Sequence, residues 1–425
     1  MIATLFIALI VAVVSMAMDN IKLANNHRDK VSAMEVAEAG INYYLWHLAH
    51  NNTDYCNGSS CIGSSTDGYG PYTLPYSDLS GKVIGSYELK IFPPTDDSTI
   101  VKIESIGRID GRDLKRKIIC ELGMPSFSKY TLFVQGEELW LGTNEKITGT
   151  VFVNGSGIYN QGEITKDSYS TELTYDSVVG GNDIIGISGP GIFGGSKNFP
   201  VTPVNFSQLD VDMTTLRNDA RDNGKGLYFG SSGSNGYHMV LKGSEFDLYR
   251  VTQYYGSFRE DQTSNADDLS IRSQTLIGTY QYPEDGIIFS EDNVWVNGQV
   301  NNKKITIIAC DPEETRANYM KNVIIPDNLI YTNYDGKDKI GLLSQNYIYV
   351  PRKAPINLEI DAAMIAYSGS IRIKPYCSPS TNCSNDQKTK IKVFGSMAHR
   401  GGLWWTIQYS STKWSGYAST ETVID

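Results

Sequence analysis

The chain has 425 residues, with 37 Lys and Arg against 47 Asp and Glu, for a formal net charge of −10. That length allows two or three domains with real buried cores. The acidic balance argues against a nucleic-acid partner, because phosphate binding needs a basic surface.

The first predicted element is helical. From Met1 to Met18 the only polar side chains are Thr4 and Ser15. Eighteen residues at 1.5 Å rise span roughly 27 Å, close to the hydrocarbon thickness of a bilayer. A secretory signal and a membrane anchor both fit that length, but each is usually accompanied by basic residues that are absent here. A third reading is that a basic leader preceded Met1 and has been removed. The stretch that follows, through Asn52, continues without Pro, and Val31, Met34, Ile41, Leu45 and Leu48 recur at helical spacing. Together the two parts predict one rod of about 50 residues and roughly 75 Å. Half of it is expected in a membrane or bundle, and half against a folded domain.

This layout resembles the type IV pilin-like superfamily, and within it the PilX-type pilus-assembly proteins. The residues that carry the resemblance are the apolar run from Met1 and the stretch AMEVAEAGINYYLW (33–46), with Ala37-Glu38-Ala39-Gly40 at its centre. The resemblance implies that a peptidase removes a basic leader. It also implies that the apolar segment, including Met1, Leu5 and Val11, is held first in the inner membrane and then in a filament core beside other pilin subunits. Major pilins carry Glu at the fifth mature position, whereas this chain has Leu5, and its first acid is Asp19. That departs from a plain major-pilin pattern.

Residues 51–126 read as a Cys/Ser/Gly loop followed by a small antiparallel sheet. The runs GSYELKIF, STIVKIESIG and RDLKRKIICEL are separated by turn residues, and the last puts Leu114, Ile118, Cys120 and Leu122 on one face. The apolar stripe of the helix is its natural cover. From residue 127 onward, strand-like runs of four to seven recur with Asn, Asp, Gly or Pro between them. This predicts a large right-handed β-solenoid-like head over 127–425, with 163–285 as an irregular insertion. Asn154-Gly155 and Asn297-Gly298 are expected at matching corners. Within 163–285, a short helix is expected near 207–222 and a hairpin over 234–254. The fold class is therefore α+β, mainly β.

Four cysteines form two close pairs, Cys56 with Cys61 and Cys377 with Cys383, each spanning a loop of small turn residues as a local disulfide would. Neither spacing suits zinc. Cys120 and Cys310 either pair with each other or remain buried thiols.

The remaining motifs favour no enzyme. Gly189, Gly191 and Gly194 match a dinucleotide-binding pattern, but Pro200 and Pro203 follow where its helix would open. His47 and His50 are three apart near a helix end, and a solvated role is the simpler reading. No catalytic, cofactor or metal residue is expected. Trp404, Trp405 and Trp414 crowd the C-terminal stretch, where they either cap the head or form an exposed patch for sugars or partner proteins.

The sequence thus predicts a surface-filament subunit, membrane-inserted before assembly. Its β-rich head would display or adhere, with surface glycans or host and partner-cell proteins as contacts. The alternative is a membrane-anchored β-solenoid that binds or acts on carbohydrate.

Overall fold

The computed structural model describes the chain apart from residues 1, 52–53, 95–99, 124–128, 137, 156, 172–173, 180–181, 205–212, 257–268, 375–386, 402, 404, 409–413 and 425. At 2–9, 11–12, 174–179, 182–185, 407–408 and 414–415 it describes the backbone alone. The chain is mainly β, with one long helix, and divides into two compact units, Met1–Ser126 and Phe127–Asp425.

In the first unit, helix α1 (Ile2–His50) is continuous. A five-stranded antiparallel sheet follows, in the order β1 (Gly63–Ser64), β2 (Gly68–Ser77), β3 (Val83–Phe92), β4 (Ile100–Ile109), β5 (Lys115–Gly123). Strict alternation in β3 and β4 turns Tyr87, Leu89, Ile91, Val101 and Ile103 inward. The opposite face is charged, and Glu104 lies 3.1 Å from Lys102 and 2.6 Å from Lys117.

The sheet is covered by α1 through a face that keeps Ile41 and Leu48 of the predicted stripe but leaves out Val31, Met34 and Leu45. The buried helix residues are Ala33, Val36, Ala37, Gly40, Ile41 and Tyr44, a perfect three-four spacing. Val31, Met34 and Leu45 are instead 47, 47 and 39 % exposed. The reason is steric. A Cβ on Gly107 of β4 would stand 2.2 Å from the Ala33 carbonyl oxygen and 2.4 Å from the Ala37 nitrogen. The helix backbone lies directly on the sheet, and only a stripe of Ala and Gly permits that approach. Large side chains at 31, 34 and 45 could not enter.

The second unit is built from large, mostly parallel sheets. Leu139–Leu141, Glu145–Thr148 and Val151–Asn154 pair in parallel with Ile158–Asn160, Glu163–Ile164 and Ser168–Ser170. Those in turn pair with Ile187–Ser188, Ile192–Phe193 and Lys197–Asn198. Strands within 163–170 and 187–198, in a stretch expected as irregular, thus extend the ladders. A second series runs in parallel through Gly226–Phe229, Ile287–Ser290, Lys304–Ala309, Lys339–Ser344, Ala363–Ala366 and Met397–Arg400.

The two series join in an unexpected order. Met397–Arg400 pairs in parallel with Leu132–Gln135, and Trp414–Val423 pairs in parallel with Glu145–Thr148. The chain therefore enters the stack at its middle, winds to one end at Asn198, crosses to the other end, and returns strand by strand to where it began. One buried row runs through Ile288, Ile307, Leu342, Met364, Met397, Leu132 and Val151 without a break at the seam.

The crossing segment has a packing role. Outside that sheet another row runs through Phe289, Ile308, Leu343, Ile365, Ala398, Phe133 and Phe152. Val201 and Val204 pack on its Phe133 end, and helix α2 (Met213–Arg221) covers its Phe289 end. The expected helix is present over Met213–Arg221, and residues 207–212 lie outside the described residues. The predicted hairpin is Tyr237–Gly243 with Glu245–Tyr254, extended by Ile271–Gln281. The two Asn-Gly pairs do not occupy matching corners. Asn154 ends a strand, whereas Gly298 lies inside one, at φ 109°, where a Cβ would meet the Leu241 carbonyl oxygen at 2.2 Å.

Candidate functional site

Two regions carry features that the fold alone does not require. The first is the amino-terminal half of α1. Ile10, Val13, Val14, Met16, Met18, Ile21 and Leu23 are 46–69 % exposed. Soluble folds rarely leave so continuous an apolar surface uncovered. Met1 lies outside the described residues, and Leu5 and Val11 are on the helix with side chains that are not described. Among the described residues, no helix is long and apolar enough to cross a membrane.

Beyond the helix end, one carboxylate organises the Cys loop. Asp54 accepts hydrogen bonds from the backbone N–H groups of Cys56 (2.8 Å) and Gly58 (2.6 Å) and lies 2.9 Å from His47 Nε2. Partial burial works against its ionisation, yet these donors together hold its carboxyl below the usual range. The Tyr44 hydroxyl donates to the Asp54 carbonyl at 2.9 Å. His47 thus anchors a loop, while His50 Nδ1 lies 2.8 Å from the Trp46 carbonyl oxygen. Cys56 and Cys61 are joined as a disulfide, with Cα atoms 4.8 Å apart. Cys377 and Cys383 lie outside the described residues. Cys120 and Cys310 are both free thiols, and burial pushes Cys310 up to about 12.

The second region lies on the large unit. A cleft of about 510 Å³ is lined by His238, Ser270–Gln274, Asn297, Pro326, Asp327 and Lys353. His238 is almost fully enclosed. Its Nδ1 lies 2.7 Å from Gln274 Oε1, and its Nε2 lies 2.6 Å from Asn297 Oδ1. Burial lowers its pKa, and these two contacts oppose the shift. At the rim, the Lys353 ammonium sits 3.9 Å from the Tyr255 ring centroid and the Arg272 guanidinium 5.8 Å from it. No sequence pattern marks this cleft, because its residues are spread from 238 to 353 and meet only through the fold.

The aromatic residues singled out near the C-terminus do not form one exposed patch. Trp405 is 1 % exposed and Tyr417 is fully buried, both within the main core. Tyr417 lies on a strand in the middle of the stack and not at an end of it. Trp404 lies outside the described residues, and Trp414 is on a strand with its side chain not described. Among the described residues of this unit the exposed tryptophan is Trp140, which is 41 % exposed, with its ring centroid 4.7 Å from that of Tyr159 on the adjacent strand and the two rings tilted by 53°. Gly189 and Gly191 lead into the strand Ile192–Phe193, and Gly194 leads on to the strand Lys197–Asn198 and not into a helix, so no phosphate cradle forms. Among the described residues, no group of three or more His, Cys, Asp or Glu is placed to hold a metal.

No protein-family model matches the chain, and no curated protein matches it. Among solved structures, the chain is similar to the competence-associated pilin ComZ from Thermus thermophilus, at 15 % identity and a TM-score of 0.31. The match covers 93 % of this chain and 91 % of that one. A likeness this distant assigns no role to any residue.

Proposed function

We propose that the protein is a structural subunit of a pilin-like surface filament, with the amino-terminal half of α1 as its assembly element and the β-rich unit as a displayed head. The observation that carries this reading is the contrast along one unbroken helix. From Ala33 to Tyr44 a face of α1 is buried on its own sheet, whereas from Ile10 to Leu23 large apolar side chains lie open. Such a surface must find cover in lipid or among copies of itself.

Two parts of the proposal rest on the sequence resemblance alone. These are membrane residence before assembly and the narrower PilX-type assignment. The parallel ladders favour a β-solenoid architecture for the head. No catalytic role is assigned to it.

The experiment is Val11→Asp in the native host. A carboxylate in a dry helical bundle has no partner and is costly. The head should fold with unchanged circular dichroism, while the variant disappears from sheared surface fibres. If the unaltered protein occurs in no fibre or oligomer, the filament reading fails.

A further inference from the structure

We propose that a groove on the outer face of the large unit, apart from the His238 cleft, binds an unbranched neutral β-linked glycan laid along the stacking direction. This inference does not depend on the filament reading.

The groove is built by register. Ile287, Thr306, Gly341 and Ala363 stand opposite one another on four successive parallel strands. The Met364 N–H donates to the Ser396 carbonyl at 2.8 Å and carries the row onto a fifth strand. Four steps of about 4.8 Å make a track of about 19 Å. Across the track, the side chains of this face run large, small, large. Lys304, Thr306 and Ile308 on one strand are matched by Lys339, Gly341 and Leu343 on the next. Thr306, Gly341, Ala363 and Ser396 form the floor. The enclosed volume of about 530 Å³ lies within the usual range for ligand sites.

Gly341 is the sharpest sign. It lies inside the strand Lys339–Ser344, where a glycine weakens pairing and often marks close approach by a ligand. It does not adopt the left-handed backbone that favours glycine. Among the described residues, an added Cβ would meet the Thr306 hydroxyl at 3.1 Å as its nearest atom, and that side chain can turn away. Neither backbone nor packing explains the glycine, whereas a ligand lying on the floor does.

One wall is aromatic and held in place. Tyr331 and Phe394 line the groove, and Tyr334, 56 % exposed, stands edge-on to Phe394 with ring centroids 5.0 Å apart. The Tyr334 hydroxyl and the Tyr331 backbone N–H donate to the same oxygen of Asp361, at 2.8 and 2.9 Å. Asp361 is itself fully buried. An exposed ring fixed from below by a buried carboxylate has lost its rotamer freedom before a ligand arrives. The apolar face of a sugar ring packs well on such a surface.

The remaining chemistry selects a neutral sugar chain. Asp285 lines the same groove as Lys304 and Lys339. Hydroxyls donate to a carboxylate and accept from an ammonium, so groups of both signs serve them, whereas an anionic chain would meet Asp285. An extended peptide would need a free strand edge, and the strands of the floor are paired on both sides. The step of the track is also close to the rise of one residue in an extended β-linked glycan.

The test is calorimetric titration of the full chain in detergent with cellohexaose and xylohexaose, and with tetragalacturonate as the anionic comparator. At least one neutral chain should bind, with affinity that rises with length up to about four residues, the reach of the track, and then levels off. Gly341→Leu and Ala363→Trp fill the floor and should each weaken binding at least about tenfold. Tyr334→Ala should weaken it about fivefold, the loss of one ring contact. Trp140→Ala, which removes an exposed aromatic from a separate sheet, should leave it unchanged. Circular dichroism checks that each variant folds, and if neither floor variant does, Tyr334→Ala decides. The proposal is overturned if neither neutral chain binds, if tetragalacturonate binds more tightly, if affinity does not grow with length, if Trp140→Ala weakens binding as much as the others, or if no folded variant of the floor or of Tyr334 weakens it.

Discussion

Glu421, on the last strand of the chain, lies opposite Lys146 in parallel register. That pairing sits within a row of alternating charge: Glu359, Lys392, Glu421, Lys146, Glu163. Lys392 is 2.6 Å from Glu359, and Lys146 is 3.0 Å from Glu163. Lys390, two residues before Lys392, reaches Glu421 at 2.5 Å and is the main cause of holding its carboxyl below the usual range. The charge pattern, like the aliphatic row inside, crosses the seam between the first and last strands of the large unit as if the chain were continuous there.

The seam predicts which interactions matter. The ions are solvent-facing, so Glu421→Lys should cost no more than about 1 kcal/mol. Deleting Trp414–Val423 should do far more, because it bares parallel edges on two neighbouring strands at once. The expected result is loss of a single cooperative melt and rapid proteolysis within 127–198. A deletion variant that melts like the parent would show that the two series are stable independently.

A permuted chain tests the winding order directly. Thr131 and Ile424 both approach Gly149, where an added Cβ would contact the side chains of each. Joining residue 425 to 127 by a short linker, and opening the chain between 205 and 212, should preserve every ladder in the large unit. Only the tie between α2 and the residues before 205 is cut. Its circular dichroism and melting temperature should stay close to those of the parent unit.

Close approach of α1 to β4 yields a sharper mutational prediction. Gly107→Val would drive side-chain carbon into the helix backbone at Ala33 and Ala37. Neither backbone can yield without lifting the helix off Leu89, Ile91 and Ile103. The cost should be about 3 kcal/mol or more, in the range of severe overpacking. It should appear as a lowered melting temperature of the small unit with the large unit unchanged.

Removal of residues 1–24 should have the opposite character. The packed stripe of α1 begins at Ala33, and the nearest outlying tie is Asp29 to Arg112 at 3.3 Å. The shortened protein should be a folded, soluble monomer by light scattering. A shortened protein that still oligomerises would place the assembly surface elsewhere.

How much of this was legible in the sequence depended on the range of the interactions. Helix α1 and the alternating strands β3 and β4 follow from local periodicity, and so does the hairpin at 237–254. Which face of α1 packs was legible in part. Apolar periodicity favoured Val31, Met34, Ile41, Leu45 and Leu48, and the sheet took Ile41 and Leu48, but Ala33, Ala37 and Gly40 pack in place of the other three because Gly107 lets the backbones meet. Recurrent short runs showed strand content in the large unit, yet nothing in them says that residue 132 follows residue 397 in space. Pairing partners so far apart leave no local trace. The cleft at His238 was hidden for the same reason.

His399 gives the last prediction, and its sign can be worked through. It occupies an inward row between Ala366 and Val134, fully buried, at the seam. Its Nδ1 lies 2.7 Å from the Gly401 carbonyl oxygen, so Nδ1 carries the proton, and among the described residues Nε2 has no hydrogen-bond partner. Burial depresses its pKa from 6.5 to about 4, outweighing the backbone contacts that favour the charged form. The unfolded chain therefore binds a proton at higher pH than the native protein does. Stability contributed by the neutral ring is complete above pH 6.5 and is lost as the pH falls from about 6.5 to about 4. The loss from this one group should reach about 3 kcal/mol. His399→Asn keeps a donor for the Gly401 carbonyl but does not titrate. It should lower stability at pH 7 through the space it leaves, and it should flatten the dependence between pH 6.5 and 4. Urea melts at several pH values read this as a difference in slope. Equal slopes in the two proteins would mean that His399 is not the acid-sensitive group of the seam.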